Sequence, residues 1–124
     1  MRDRPFQIDF SRHPAGLRVH VTGVNSLDNT VAYWLAIAAE VRERPRPVLL
    51  VDELQGEPLA ADDWLKLVVS MAGQGLEHLR IAHVKPQGLD SVEYCEIYAK
   101  DAGFDARVFT DEAAAALWLR YGER

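Results

Sequence analysis

Five acidic side chains lie close together in the middle of the chain, where they could bind a hard cation or take part in acid–base chemistry. They are Asp52, Glu53, Glu57, Asp62 and Asp63. Carboxylate oxygens are the ligands that Mg²⁺ prefers, so one hypothesis is a metal-assisted enzyme that uses this segment. Acids on a flexible turn have no fixed geometry, however, and aspartates at a helix start also favour the helix dipole. We therefore predict a solvated loop and a helix start, with no metal, no catalytic set and no cofactor.

Histidine and cysteine are weaker candidates for chemistry. The histidines are scattered at His13, His20, His78 and His83, and none has a second ligand at the spacing that metal sites use. His83 falls on a predicted strand, where a buried histidine hydrogen-bonded to backbone is the favoured interpretation. Cys95 shares a helical face with Val92 and Ala99, which predicts a core side chain and not a nucleophile.

Alternating and continuous apolar residues predict five short strands that must position these groups. The predicted strands are residues 6–10, 17–21, 48–51, 79–84 and 106–109. The first two are joined by a short turn-rich segment and should form an antiparallel hairpin. Residues 48–51 are four apolar residues between Pro47 and Asp52, which predicts a strand buried on both faces at the centre of the sheet.

Helical spacing and capping residues predict four helices between and after these strands. Ser26 should cap the first helix, which runs to about Arg44, Asp90 with Glu93 resembles a capping box for the third, and Thr110 should cap the last. The predicted inward residues are Val31, Trp34, Leu35, Ala38 and Val41 in the first helix; Leu65, Val68, Val69 and Ala72 in the second; Val92, Cys95, Ala99 and Ala102 in the third; and Ala114, Leu117, Trp118 and Tyr121 in the fourth.

The whole chain then fits a single α/β domain over residues 1–124, with a core of about 6–121. The element order is ββαβαβαβα, so a mostly parallel sheet with an antiparallel first strand should be covered by helices. A net charge of −5 without basic runs excludes a nucleic-acid footprint, and no apolar stretch reaches the ~20 residues that a membrane span needs. We expect a cytoplasmic protein, because one cysteine and no secretory segment are present.

This order, together with the strand LRIAHV and the ending RVFTDEAAAALWL, resembles the STAS-like family, named after sulfate transporters and anti-sigma-factor antagonists. The resemblance covers about residues 6–121 and implies a small regulatory or interaction domain, usually without an active site. Antagonists of this family carry a phosphorylatable serine after the third strand. Asp52 to Ala60 contains no serine or threonine, so we predict no phosphorylation switch.

A second resemblance is excluded by spacing. The strand end at Asp52 and the step Lys85-Pro86 are similar to the acidic strand end and lysine-proline step of response-regulator receivers. In receivers the acidic pair lies near the start of the domain and the lysine near its end, with a phospho-acceptor aspartate on a strand between them. Asp52 and Lys85 are too close in sequence for such a strand.

Two surfaces are predicted to contact partners. The loop containing Asp52, Glu53, Gln55 and Glu57 follows the central strand, where open α/β sheets bind ligands or partners. Tyr94 and Tyr98 lie one turn apart and could form an aromatic surface for a protein partner or a homodimer. The leading hypothesis is a non-enzymatic interaction domain; the alternative is a binding module for a small apolar ligand or lipid, as in the similar CRAL-TRIO fold, with a pocket bordered by the third and last helices.

Overall fold

The structure is a computed structural model that describes residues 6–57, 59–86 and 93–122, with residues 93–95 described by their backbone alone. The predicted α/β order ββαβαβαβα is confirmed. The strands are β1 Phe6–His13, β2 Gly16–Val24, β3 Val48–Gln55, β4 Arg80–Val84 and β5 Asp105–Phe109. The helices are α1 Leu27–Glu43, α2 Ala61–Met71, α3 Glu93–Asp101 and α4 Glu112–Tyr121.

The five strands form one mixed sheet in the order β1-β2-β3-β4-β5. β3 is the central strand of this order, as predicted. β1 is antiparallel to β2, and the other neighbouring strands are parallel. The hairpin between β1 and β2 turns at Gly16, whose φ is +144°. A side chain there would collide with the Pro47 carbonyl oxygen, which accepts a 2.8 Å hydrogen bond from the N–H of Leu17. Glycine therefore lets the hairpin approach the start of β3.

The helices form two layers of unequal size. The strands from β2 to β5 follow one another across the sheet, and successive right-handed crossovers in one direction leave their helices on the same face. α1, α2 and α3 accordingly pack over the larger core, which includes Trp34, Leu50 and Trp64. α4 covers the opposite face through a smaller cluster that includes Leu49 and Trp118.

The predicted inward faces of α2 and α4 are wrong by about one residue, although Val68 and Trp118 are buried as predicted. Leu65 and Val69 are 44% and 66% exposed, because the ring of Trp64 takes the core position on α2. In α4, Leu117 is exposed and Leu119 is buried. The remaining departures from the predicted faces are also exposed: Leu35 in α1, Ala72 after α2, Ala102 after α3, and Ala114 and Tyr121 in α4.

Of the predicted N-cap residues, one is confirmed and one is wrong. Ser26 caps α1, with its hydroxyl accepting a 3.1 Å hydrogen bond from the N–H of Asn29. Thr110 is not the cap of α4; the Asp111 carboxylate accepts from the first-turn N–H groups instead. The predicted capping box of Asp90 with Glu93, and the inward positions of Val92 and Cys95, lie outside what the structure describes. Among the described helices, none has the length and apolar character needed to cross a bilayer.

Candidate functional site

Strands β3 and β4 carry three ionisable side chains to the carboxyl end of the sheet. Side chains alternate between the faces of a strand, so Leu50, Asp52 and Leu54 of β3 share the face covered by α1 to α3. The register pairs Leu50 with His83 and continues towards Lys85, which immediately follows β4. Asp52, His83 and Lys85 therefore meet on this face, and we call them the ion cluster.

The carboxylate of Asp52 is the centre of the ion cluster. Its Oδ2 lies 2.8 Å from His83 Nε2 and accepts a longer hydrogen bond of 3.4 Å from the Tyr33 hydroxyl. Its Oδ1 accepts from Lys85 Nζ at 3.2 Å and from the backbone N–H of Leu54 at 3.1 Å. A carboxylate can only accept, so the proton between Asp52 and His83 is on Nε2.

The electrostatics of the cluster keep Asp52 ionised. Asp52 and His83 are each 2% exposed and Lys85 is 6% exposed. Burial by itself would raise the pKa of Asp52, but the His83 hydrogen bond, the charges of His83 and Lys85, and the Leu54 N–H together lower that pKa below its ordinary value of 3.8. Lys85 Nζ also donates to the Leu54 carbonyl oxygen at 3.1 Å. The cluster is thus an internally paired buried ion pair that holds β3 to β4.

The imidazole of His83 has a second nitrogen that this pairing does not use. Nδ1 is buried and has no hydrogen-bond partner among the described residues. The ring lies edge-on to Trp34 and Trp64, with centroid distances of 6.2 and 6.0 Å. The indole Nε1 of Trp34 is also buried without a partner in the described part of the chain.

A cavity of about 40 Å³ adjoins these two rings. It lies between α2, α3 and the strands β4 and β5. Trp34 and His83 line one part of it, and the half-buried side chains of Glu96 and Arg107 line another. The rest of the lining is apolar: Leu67, Val68, Met71, Leu76, Ile81, Ala99, Phe104, Ala106 and Val108. α3 and α4 pack against opposite faces of the sheet. Lys100 of α3 and Trp118 of α4 nevertheless both line a second cavity of about 240 Å³, together with Arg80, Asp105, Ala106 and Arg107.

The four residues of the predicted partner-facing loop are not on one surface. β3 continues to Gln55, so Asp52 and Glu53 are strand residues that project to opposite faces. Glu53 is half-exposed on the α4 side and contacts His20 Nε2 at 2.6 Å. Gln55 and Glu57 are exposed. Only Asp52 enters the ion cluster, and its predicted place in a solvated loop is wrong.

The other candidates fall outside this cluster. Tyr98 is half-buried against the larger core. Its predicted neighbour Tyr94 is one of the residues that the structure describes by backbone alone. Asp62 is exposed, while Asp63 Oδ2 accepts a 3.4 Å hydrogen bond from the N–H of Ala60 at the start of α2. No group of three or more possible metal ligands occurs within the described ranges.

Sequence reasoning missed the meeting of Asp52 with Lys85. The histidine was predicted to be structural, and its partner is the Asp52 carboxylate instead of the backbone group expected. The sequence did contain a signal for this meeting: Asp52 alternates with Leu50 and Leu54, which places it on an inward face of its strand. His83 alternates with Ile81 in the same way, so two neighbouring parallel strands each end in inward polar residues.

Comparison with protein-family models, with curated proteins and with solved structures found no match.

Proposed function

We propose that the protein is a non-enzymatic interaction domain of the STAS-like type, which acts by binding another protein chain, in the first instance a second copy of itself. The observed order ββαβαβαβα is the order from which the STAS-like resemblance was drawn. Asp52 to Ala60 offers no hydroxyl for phosphorylation, so partner binding is proposed to be independent of such a switch.

The arrangement of the ion cluster supports a structural role, and not a catalytic one, for Asp52, His83 and Lys85. Asp52 contacts both His83 and Lys85, and all three are buried. Their charges are satisfied by one another and by the backbone of Leu54. Removing any one of these charges would leave another buried without a counter-charge, so we assign the three residues a structural role and assign the interaction to the surface.

The observation that carries the proposal is the outward face of α2. Leu65 and Val69 lie one turn apart and are 44% and 66% exposed, and we call this pair the α2 stripe. Large aliphatic side chains grouped on one exposed helix face are typical of surfaces that another chain covers. Asp62 and Lys66 are exposed on the same helix and carry opposite charges.

A second copy of the chain fits this face. A two-fold interface uses the same patch on both subunits, so an apolar stripe is complementary to itself. Two antiparallel α2 helices would bury the stripe of each against the other.

The oligomeric state tests this proposal. Sedimentation velocity between about 1 and 200 µM should show a monomer–dimer equilibrium whose dimer fraction rises with concentration. Val69→Lys should raise the dimer dissociation constant at least about tenfold, because each interface would then bury two unpaired charges.

The matched control is Leu117→Lys, which changes a residue 58% exposed on α4, on the other face of the sheet. It should leave the dimer intact. A wild-type protein that is monomeric throughout the range overturns the proposed self-association. A dimer that both variants retain overturns the assignment to α2.

A further inference from the structure

We propose that the outer edge of β1 binds an extended segment of another protein, which adds a further strand to the five-stranded sheet. The segment has apolar residues towards the helix-covered face, a basic residue opposite Asp9 and an acidic residue opposite Arg12. This inference goes beyond the proposed self-association, because it concerns a different surface and a partner that is not a second copy of the chain.

The hydrogen bonds of β2 show which backbone groups of β1 point outward. Opposite residues in an antiparallel ladder alternate between hydrogen-bonded and non-hydrogen-bonded pairs. The N–H of Leu17 donates to the carbonyl oxygen of Pro47, just before β3, so Leu17 and its opposite residue Arg12 form a non-hydrogen-bonded pair. The backbone groups of Arg12 therefore point away from β2, and by the same alternation so do those of Phe10 and Ile8.

This outer edge of β1 is open in the part of the chain that the structure describes. β1 is the end strand of the sheet and is eight residues long. The outward N–H and C=O groups of Ile8, Phe10 and Arg12 have no hydrogen-bond partner among the described residues. A row of open backbone groups is a template on which another strand can pair.

The opposite edge of the sheet is covered by a side chain. β5 is the other end strand, and its Val108 N–H donates to Glu96 Oε1 of α3 at 2.9 Å. Lys100 Nζ donates to the second carboxylate oxygen of Glu96, also at 2.9 Å. Glu96 thus occupies a donor that an added strand would need on β5. No described side chain does the same on β1, so we assign strand addition to the β1 edge.

The apolar side chains of β1 indicate one face of the segment that fits. Directly opposite residues of paired strands project to the same face, so Ile8 and Phe10 share the helix-covered face with Val21 and Val19. Ile8 is half-buried there, but Phe10 is 39% exposed because no strand lies beyond it. Apolar residues of an added strand would cover both side chains.

The charges of β1 indicate that the added strand comes from a different chain. Asp9 and Arg12 are exposed, and neither has an ion-pair partner among the described residues. Their positions differ by an odd number, so they project to opposite faces. In any antiparallel pairing of β1 with a second β1, Asp9 therefore never lies opposite Arg12. A segment with a basic residue opposite Asp9 and an acidic residue opposite Arg12 matches both charges.

Two peptides of identical composition test the proposal by nuclear magnetic resonance. Acetyl-Glu-Thr-Val-Lys-Val-amide, antiparallel to β1, places its glutamate opposite Arg12 and its lysine opposite Asp9. Acetyl-Lys-Thr-Val-Glu-Val-amide is the matched control. We expect the first peptide to shift the backbone amide signals of Ile8, Phe10 and Arg12 saturably in the millimolar range, and the control to bind at least about fivefold more weakly. The Val108 amide on the covered edge should not shift.

Methylation of single peptide nitrogens separates main-chain pairing from side-chain contact. The N–H of the central valine, opposite Phe10, faces β1, whereas that of the lysine, opposite Asp9, faces away. A methyl group on the valine nitrogen should weaken binding at least about tenfold, because it removes one hydrogen bond and adds bulk between the strands. The same group on the lysine nitrogen should change the affinity by less than about twofold.

A charge-reversed variant tests the same edge from the side of the protein. Asp9→Lys combined with Arg12→Glu should reverse the preference between the two peptides, since each charge then faces its opposite in the control peptide. Both side chains are exposed on the end strand. The two peptide comparisons with the wild type test the proposal even if this variant fails to fold.

The proposal is overturned if the first peptide produces no saturable shift of the β1 amides. Equal affinity for the two peptides overturns the charge selection, and equal effects of the two methyl groups overturn the main-chain pairing. β1 amides that shift with protein concentration alone would show that a second copy covers this edge, which overturns the assignment to another protein. A failure of self-association through the α2 stripe leaves these β1 readouts unaffected, so the two proposals can fail separately.

Discussion

At the scale of single residues, Asp52 shows how an inward acid can be stable in a core. It accepts hydrogen bonds from His83, Lys85, Tyr33 and the backbone of Leu54. Removing water from a charge is costly, and the cost is offset only while each charged neighbour keeps its counter-charge. Removing one charge from the cluster should therefore lower the free energy of unfolding more than removing one uncharged contact does.

Asp52→Asn tests this sensitivity. The amide keeps the size of the side chain but leaves the Lys85 ammonium buried without a counter-ion, so we expect the free energy of unfolding to fall by about 3–5 kcal/mol. Urea denaturation followed by circular dichroism measures the change.

The adjacent Glu53→Gln is the matched control. Glu53 pairs with His20 on the half-exposed α4 side, where an ion pair contributes at most about 1 kcal/mol. A loss of similar size in both variants would contradict a special role for the buried cluster.

At the scale of elements, α1 has a side-chain cap at its N-terminus and α2 has an incomplete one. The Ser26 hydroxyl accepts from a first-turn N–H of α1. The N-cap of α2 is Ala60, which has no side-chain acceptor, although Asp63 reaches back to the Ala60 N–H. Only half of a capping box is therefore present at α2.

Ala60→Ser should complete that capping box. Ala60 is exposed and its backbone is extended, with φ −73° and ψ 162°, so a serine hydroxyl can accept from the first turn without displacing a neighbour. We expect the free energy of unfolding to rise by about 1 kcal/mol, measured by urea denaturation.

Ser26→Ala gives the comparison in the opposite sense, with an expected loss of about 1 kcal/mol. If the loss at Ser26 is observed but Ala60→Ser changes nothing, the start of α2 is not limited by its missing cap.

At the scale of the whole molecule, several carboxylates link stability to pH. Besides Asp52, the pKa of Glu112 is lowered, chiefly by its hydrogen bond from Arg18, which joins β2 to α4 at 2.8 Å. Burial would raise the pKa of Glu96, but hydrogen bonds from Lys100 and the Val108 N–H lower it overall. These three carboxylates connect different parts of the sheet to its helices.

Acid should therefore destabilise the fold. A carboxyl whose pKa is lowered in the folded state is protonated first in the unfolded state, so its stabilisation is complete above its ordinary value and is lost as the pH falls through the folded value. The ordinary values are 3.8 for Asp52 and 4.5 for Glu96 and Glu112.

We expect the free energy of unfolding to decline progressively below about pH 4.5. Urea denaturation at each pH measures this, and carboxyl-carbon resonances should place the Asp52 midpoint below 3.8. A midpoint at or above that value would contradict the pairing of Asp52 with His83 and Lys85.

The sequence by itself determined the elements and their order. Alternation of apolar residues, proline and glycine stops and the Ser26 cap act over a few neighbouring residues, so these signals predict five strands, four helices and a central β3. Helix faces were harder to predict, since apolar residues outnumber the positions that can be buried. In α2, Trp64 occupies the core and Leu65 is exposed.

Only the tertiary structure decided which polar residues meet. Asp52 and Lys85 lie on different strands, and their approach depends on the register between β3 and β4. That register is fixed by the packing of both sheet faces, and a shift of one residue would turn Asp52 to the other face. The cavity beside Trp34 and His83 likewise depends on how α2, α3 and the sheet fit together, which local sequence patterns do not encode.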